Sequence, residues 1–138
     1  MEQFPLTVLL VEDNLGDVFL VREAIEQLGL DLQFRTVPDG ETALDVLRLP
    51  GAKRPDVINL DLNLPLKHGR EVLEELEADP ALRHIPVAIL TTSTAEEDTA
   101  LQQTHDRCLF FAKTPDLREL MNILTQIHEF AMSVRKAS

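Results

Sequence analysis

Basic residues are scarce in this chain: 13 Lys and Arg stand against 24 Asp and Glu, for a formal net charge of -11. Phosphate backbones and anionic membranes are held by clustered Lys and Arg, so this balance argues against a nucleic-acid or membrane-surface binder. No apolar stretch is long enough to span a bilayer. The N-terminal segment lacks a basic region and its apolar run meets Glu12 and Asp13, so it does not read as a secretory signal. A single cysteine, Cys108, excludes an internal disulfide and reads as a small core residue, with the cytoplasm as the natural compartment. Repeats and low-complexity linkers are absent too. The histidines, His68, His84, His105 and His128, lack ligand spacing and read as surface residues.

What is present is a pattern of alternation. The 138 residues are 44% hydrophobic, the size and composition of one domain with one sizeable core. Strand-like and helix-like periods alternate about five times, the signature of a parallel α/β fold. Thr7 to Val11 and Val57 to Leu60 read as buried strands, joined by a helix over Asp17 to Leu28 that Gly29 stops and an extended piece bearing Leu32, Phe34 and Val37. Pro38-Asp39-Gly40 opens a short helix that Pro50-Gly51 ends. Gly69 to Ala78 is a third helix, stopped near Asp79-Pro80, and Val87 to Leu90 a fourth strand. The next helix has a capping box in Thr94 and Glu97 but only Leu101 as a large apolar residue between Ala95 and Thr104, so it is held weakly and shifts at low cost. A fifth strand, Leu109 to Ala112, precedes a last helix with Asp116 and Glu119 as capping box and Leu117, Leu120, Leu124, Ile127 and Ala131 on one face.

Chemistry collects just beyond the carboxyl ends of the strands in such a sheet. Those ends carry Glu12 and Asp13, then Asp61, then Thr91, then Lys113. Three carboxylates drawn together need a cation. Singly, each residue has a plainer reading. Glu12 and Asp13 start a turn, Asn14 or Asp17 caps the next helix, Asp61 caps a loop, and Thr91 and Lys113 are ordinary strand-end residues.

In type and order these residues resemble the receiver domain of two-component response regulators, and the resemblance covers nearly the whole chain, 1–138, as one receiver domain with a short C-terminal extension. It implies a doubly wound, flavodoxin-like five-stranded parallel sheet in 2-1-3-4-5 order and phosphorylation of an aspartate by a sensor histidine kinase, a signalling role and not an enzyme's. Matched position by position, Asp61 is similar to the phosphoacceptor, Glu12 and Asp13 to the acid pair that helps bind Mg2+, and the Asn63 carbonyl to a further metal ligand. Thr91 resembles the switch hydroxyl, Lys113 the phosphate-pairing lysine, and Phe110 the aromatic that turns inward when the hydroxyl moves. Plain core packing explains Phe110 as well.

The residue types suit that chemistry. A carboxylate attacks phosphorus only if the phosphoryl oxygens are neutralised, which a hard, oxygen-loving Mg2+ and an ammonium do together. A hydroxyl such as that of Thr91 can donate to the phosphoryl group and draw its loop inward. One departure from the family is Thr114, where most members follow the lysine with proline, often through a cis bond. A cis bond before a non-proline residue costs about 2.5–4 kcal/mol, so the isomer is open, and a trans bond is expected to aim Lys113 less well.

The runs D-L-N-L-P, G-R-E-V-L and I-P-V-x-x-L-T-T-S, with a lysine lacking its proline, are similar to single-domain regulators paired with bacterial phytochromes, which implies light as the ultimate input. Output would then come from a partner, a homodimer or phosphate relay. Phe130, Met132 and Val134 leave apolar groups off the Leu117 face, which points to a homodimer through the 95–104 helix, the last strand and the last helix. Two other classes fit less well. A haloacid-dehalogenase-like phosphoaspartate hydrolase wants an acid two positions after the nucleophile, where Asn63 stands. A flavodoxin-like flavin carrier wants a phosphate-cradling loop rich in Ser, Thr and Gly where Glu12-Asp13-Asn14 stands.

Overall fold

A computed structural model of the chain describes residues 5–92 and 108–137. The weakly held helix expected over 95–104, its Thr94 and Glu97 box, and His105 lie outside the described residues. Five strands, β1 (Leu6–Val11), β2 (Leu32–Val37), β3 (Val57–Leu60), β4 (Val87–Thr91) and β5 (Cys108–Ala112), form one sheet in the order β2-β1-β3-β4-β5. Every neighbouring pair runs parallel, with Val8 opposite Val57 and Ile89 opposite Phe110. The order reverses at β1 and β3, and there the crevice opens.

Side-chain alternation splits the core in two. Leu9, Val11, Ile58, Leu60 and Ile89 face α2 (Gly40–Arg48) and α3 (Gly69–Ala78), while Val8, Leu10, Val57, Ala88 and Leu90 face α1 (Leu15–Leu28) and α4 (Leu117–Ala137). All four residues of β3 are buried, as a strand covered by helices on both sides requires. Burying each of Ile58 and Leu60 stabilises the fold by about 1.5–3 kcal/mol. The start of β3 is tied down by Asp56, whose carboxylate accepts from the Thr7 main-chain N–H at 2.9 Å.

Helix ends follow local chemistry. α1 begins at Leu15, two residues before the expected Asp17, because Asn14 is the cap and its Oδ1 accepts from Asp17 N–H at 3.0 Å. Gly29 closes that helix in the left-handed region at φ 64°. Asp39 caps α2 through Thr42 N–H at 2.7 Å. α3 is capped by His68, whose Nδ1 accepts from Arg70 N–H at 3.1 Å, so this histidine is a half-buried structural group and not the surface residue expected. At α4 the expected capping box is only half formed. Asp116 Oδ1 accepts from Glu119 N–H at 3.2 Å, but the Glu119 carboxylate accepts from the Thr114 hydroxyl at 2.7 Å, and it is that hydroxyl which receives Asp116 N–H. β4 and β5 each extend one residue beyond the expectation, to Thr91 and from Cys108.

Phe130, Met132 and Val134 are each half-buried within the chain, and Met132 packs on the α1 side of the core, so only part of their surface is left over. No helix among the described residues is long and apolar enough to cross a membrane.

Candidate functional site

β1 ends at Val11 and the chain turns at once into Glu12, whose main-chain N–H is held by the Val37 carbonyl at 3.0 Å. Glu12 is buried and Asp13 exposed, while Asp61, one residue past β3, is only 5% exposed. One carboxylate oxygen from each of Glu12, Asp13 and Asp61 lies within 4.8 Å of the others. Three hard oxygen donors at that spacing fit a divalent cation such as Mg2+ or Mn2+.

The two oxygens of Asp61 have different partners. Oδ1 accepts from the Asn63 main-chain N–H at 3.2 Å, and Oδ2 accepts from Lys113 Nζ at 3.1 Å. The Asn63 side chain turns away to the Thr92 hydroxyl, 3.1 Å distant, which leaves its main chain as the part facing the acids. Lys113 also reaches Glu12 Oε1 at 2.8 Å and Asp17 Oδ2 at 2.8 Å. Its bond to Thr114 is trans, as are all peptide bonds among the described residues, and still the ammonium points squarely at the acids, contrary to the weaker aim expected. Packing decided this: β5 pairs with β4 up to Ala112, and Lys113 N–H donates to the Thr91 carbonyl at 3.0 Å, so the lysine leaves the sheet toward Asp61.

Electrostatics follow from that crowding. Burial works against the charge of Lys113, but its bonds to Asp17, Glu12 and Asp61 outweigh it and hold the ammonium pKa above its ordinary value. Burial pushes the Glu12 pKa up, with the Asp61 charge adding to it, although Lys113 and the Asn14 N–H at 3.1 Å pull the other way. Cys108 is half-buried against the core, and desolvation, aided by Glu77, raises its thiol pKa to about 12, so it is a packing residue and no nucleophile.

Glu12, Asp13, Asp61, Asn63 and Lys113 line one crevice, as the strand-end pattern anticipates. Thr91 and Phe110 do not line it. Thr91 is buried at the end of β4 and, by alternation, shares with Ile89 and Phe110 the sheet face covered by α2 and α3. Asn14, Asp17, Thr92 and Thr114 line the crevice as well, beyond the residues the pattern singles out: Thr92 sits inside a T-T-S run, and Asp17 has the local look of an acid in a helix's first turn. The loop from β3 to α3 has its own constraint at Leu66, which sits at φ 65°, and the neighbouring Lys67 is tied to Glu75.

A doubly wound sheet whose strand ends gather three acids and a lysine is the architecture of a phosphoacceptor signalling module. The chain belongs to the response regulator receiver domain family, which it matches over residues 8–125. It is a signalling receiver and not a classical enzyme, which removes the hydrolase and flavin-carrier alternatives. Response regulator Rcp1 of Synechocystis sp. is 39% identical over 131 residues, 91% of this chain and 88% of that protein. The solved structure of the phosphorylated cyanobacterial phytochrome response regulator RcpA superposes with a TM-score of 0.81 at 40% identity, over 94% of this chain and 95% of RcpA. The Mn2+-bound form of Rcp1 gives 0.78 at 38% identity, over 91% of this chain and 94% of that one.

Proposed function

We propose that Asp61 takes the phosphoryl group, from a sensor histidine kinase of the phytochrome type, in a site loaded with Mg2+. The observation that carries this reading is the Lys113 ammonium 3.1 Å from a buried aspartate oxygen at the end of the central strand. Glu12, Asp13, Asp61 and the Asn63 carbonyl would hold the metal, which when bound neutralises phosphoryl oxygens. The Asn63 N–H on Oδ1 orients the carboxylate, so its other oxygen is the one presented beside Lys113. Lys113, charged across the physiological range, pairs with a phosphoryl oxygen once the group has transferred. Thr91 then donates its hydroxyl to the phosphoryl group, and Phe110, on the same sheet face, rotates into the space vacated.

Leu15 and Phe19, one turn apart on α1 beside the site and 81% and 71% exposed, offer the kinase an apolar contact. The likeness to regulators described as phytochrome and bacteriophytochrome response regulators supports light as the input. We place the protein in the cytoplasm, as one receiver domain spanning 1–138 whose extension continues α4 past the matched region to Ala137. Two copies pair through β5 and α4. The half-buried Cys108 to Phe111 at the sheet edge and the leftover surface of Phe130 and Val134 support this pairing.

The test of the acceptor is phosphate-affinity electrophoresis with a small phosphodonor and Mg2+. Wild type shifts and Asp61→Asn does not; equal modification of both overturns the assignment.

A further inference from the structure

The geometry points to Asp17 as a positioning residue that aims Lys113 at the phosphorylation site, a role that rests on Asp61 being the acceptor. An ammonium has three N–H donors, and Lys113 spends them on three carboxylates, Glu12 and Asp17 at 2.8 Å and Asp61 at 3.1 Å. Two of those partners have other work. Glu12 and Asp61 belong to the cluster that suits a divalent cation, and Asp61 is the group that changes on phosphorylation. Asp17 is outside that cluster, so metal binding leaves its bond to Lys113 in place.

Its mounting suits the task. Asp17 stands in the first turn of α1, where its N–H is pinned by Asn14 Oδ1 at 3.0 Å, and α1 is packed against α4 and the sheet through Val21, Ala24 and Ile25. Lys113 stands 96 positions later, just past β5. A lysine side chain held only by its backbone keeps four rotatable bonds and samples positions far from the acceptor. The Asp17 carboxylate removes that freedom from a fixed point on another element. When a phosphoryl group arrives, one N–H stays on Asp17 while the others turn to the phosphoryl oxygens, so no reorientation of the side chain is needed.

Removing a negative charge here should by itself favour an anionic donor, so a positioning role shows as a lower limiting rate, not as weaker donor binding. The test measures phosphorylation by a small phosphodonor, over a range of donor concentration at saturating Mg2+, in wild type, Asp17→Asn, Asp17→Ser and Lys113→Met, and in Asp17→Asn combined with Lys113→Met. Asp61→Asn is the control arm: if it is phosphorylated like wild type, the acceptor assignment fails, and this inference with it. Otherwise the expected result is a limiting rate roughly tenfold lower in Asp17→Asn and Asp17→Ser, the size of one charge-assisted hydrogen bond. Mg2+ affinity by calorimetry stays at the wild-type value, and with Lys113→Met present the Asp17 change has no further effect. An unchanged or raised limiting rate overturns the inference, as does an equal fall without Lys113 or a loss of Mg2+ affinity. Should one Asp17 variant melt early, the other decides.

Discussion

Gly69 lies flat against the main chain of Asp61: a Cβ at Gly69 would come 2.5 Å from the Asp61 carbonyl oxygen and 2.6 Å from Leu62 Cα. Its own N–H donates to the Leu62 carbonyl at 2.9 Å, so the first residue of α3 and the acceptor loop form one packed unit. Neither neighbour is a flexible side-chain tip that could step aside. Gly69→Ala should therefore cost about 1–3 kcal/mol and displace the acceptor loop. Thermal denaturation with a parallel Mg2+ titration checks this. A variant that melts with wild type and binds the metal equally would show that the loop yields freely.

Around Lys113 three acids, Glu12, Asp17 and Asp61, share one ammonium in a partly desolvated crevice that Asp13 also lines. Like charges held together oppose folding. Asp13→Asn and Asp61→Asn should each raise the melting temperature of the metal-free protein by about 3–5 °C, on the order of 1 kcal/mol. In wild type, Mg2+ at a hundredfold excess over its dissociation constant adds about 2.7 kcal/mol, and both variants should lose part of that gain. Scans in chelator and in Mg2+ decide. A capping role for these acids predicts the opposite, lower melting in chelator and an undiminished response to metal.

Glu12 sets a pH dependence of definite sign. Its folded pKa is raised above the ordinary glutamate value of about 4.5, chiefly by burial, so over a window above that value the folded state holds a proton that the unfolded chain has already lost. Stability then falls as pH rises from about 4.5 through the folded pKa, and the penalty is fully present above it. Below 4.5 both states are protonated and the residue contributes no slope. Glu12→Gln should be the more stable form in metal-free buffer near neutral pH, with the difference from wild type vanishing in acid. Melting curves of both proteins across this range check it, and a difference independent of pH would rule it out.

Asn59 is two residues before Asp61 on β3, 2% exposed, and its Oδ1 has no hydrogen-bond partner among the described residues. It faces the α1 and α4 layer, beside Leu10, Leu90, Leu120 and Leu124. An unpaired buried amide oxygen costs about 1–3 kcal/mol, and leucine has nearly the same shape without it. Asn59→Leu should thus raise the melting temperature by several degrees, about 1 kcal/mol or more. A lower melting temperature would mean that the amide is satisfied by water and belongs to the core as it stands.

The chain by itself determined the sheet and the strand-end chemistry. Apolar runs alternating with helical periods specify buried parallel strands, and the residues that follow such strands must emerge at one rim, which is why Glu12, Asp13, Asp61 and Lys113 were legible without coordinates. Capping was legible where one side chain bonds a nearby N–H, as at Asn14 and Asp39, and illegible where a third residue intervenes, as Thr114 does between Asp116 and Glu119. Only the tertiary structure decided which acids the lysine meets. Asp17 has the local look of a first-turn acid, and nothing in its neighbourhood of sequence marks it as the partner of a residue 96 positions away. That pairing, like the orphaned oxygen of Asn59 and the contact of Gly69 with Asp61, exists because packing brings distant elements within about 3 Å, a relation that periodicity and composition do not encode.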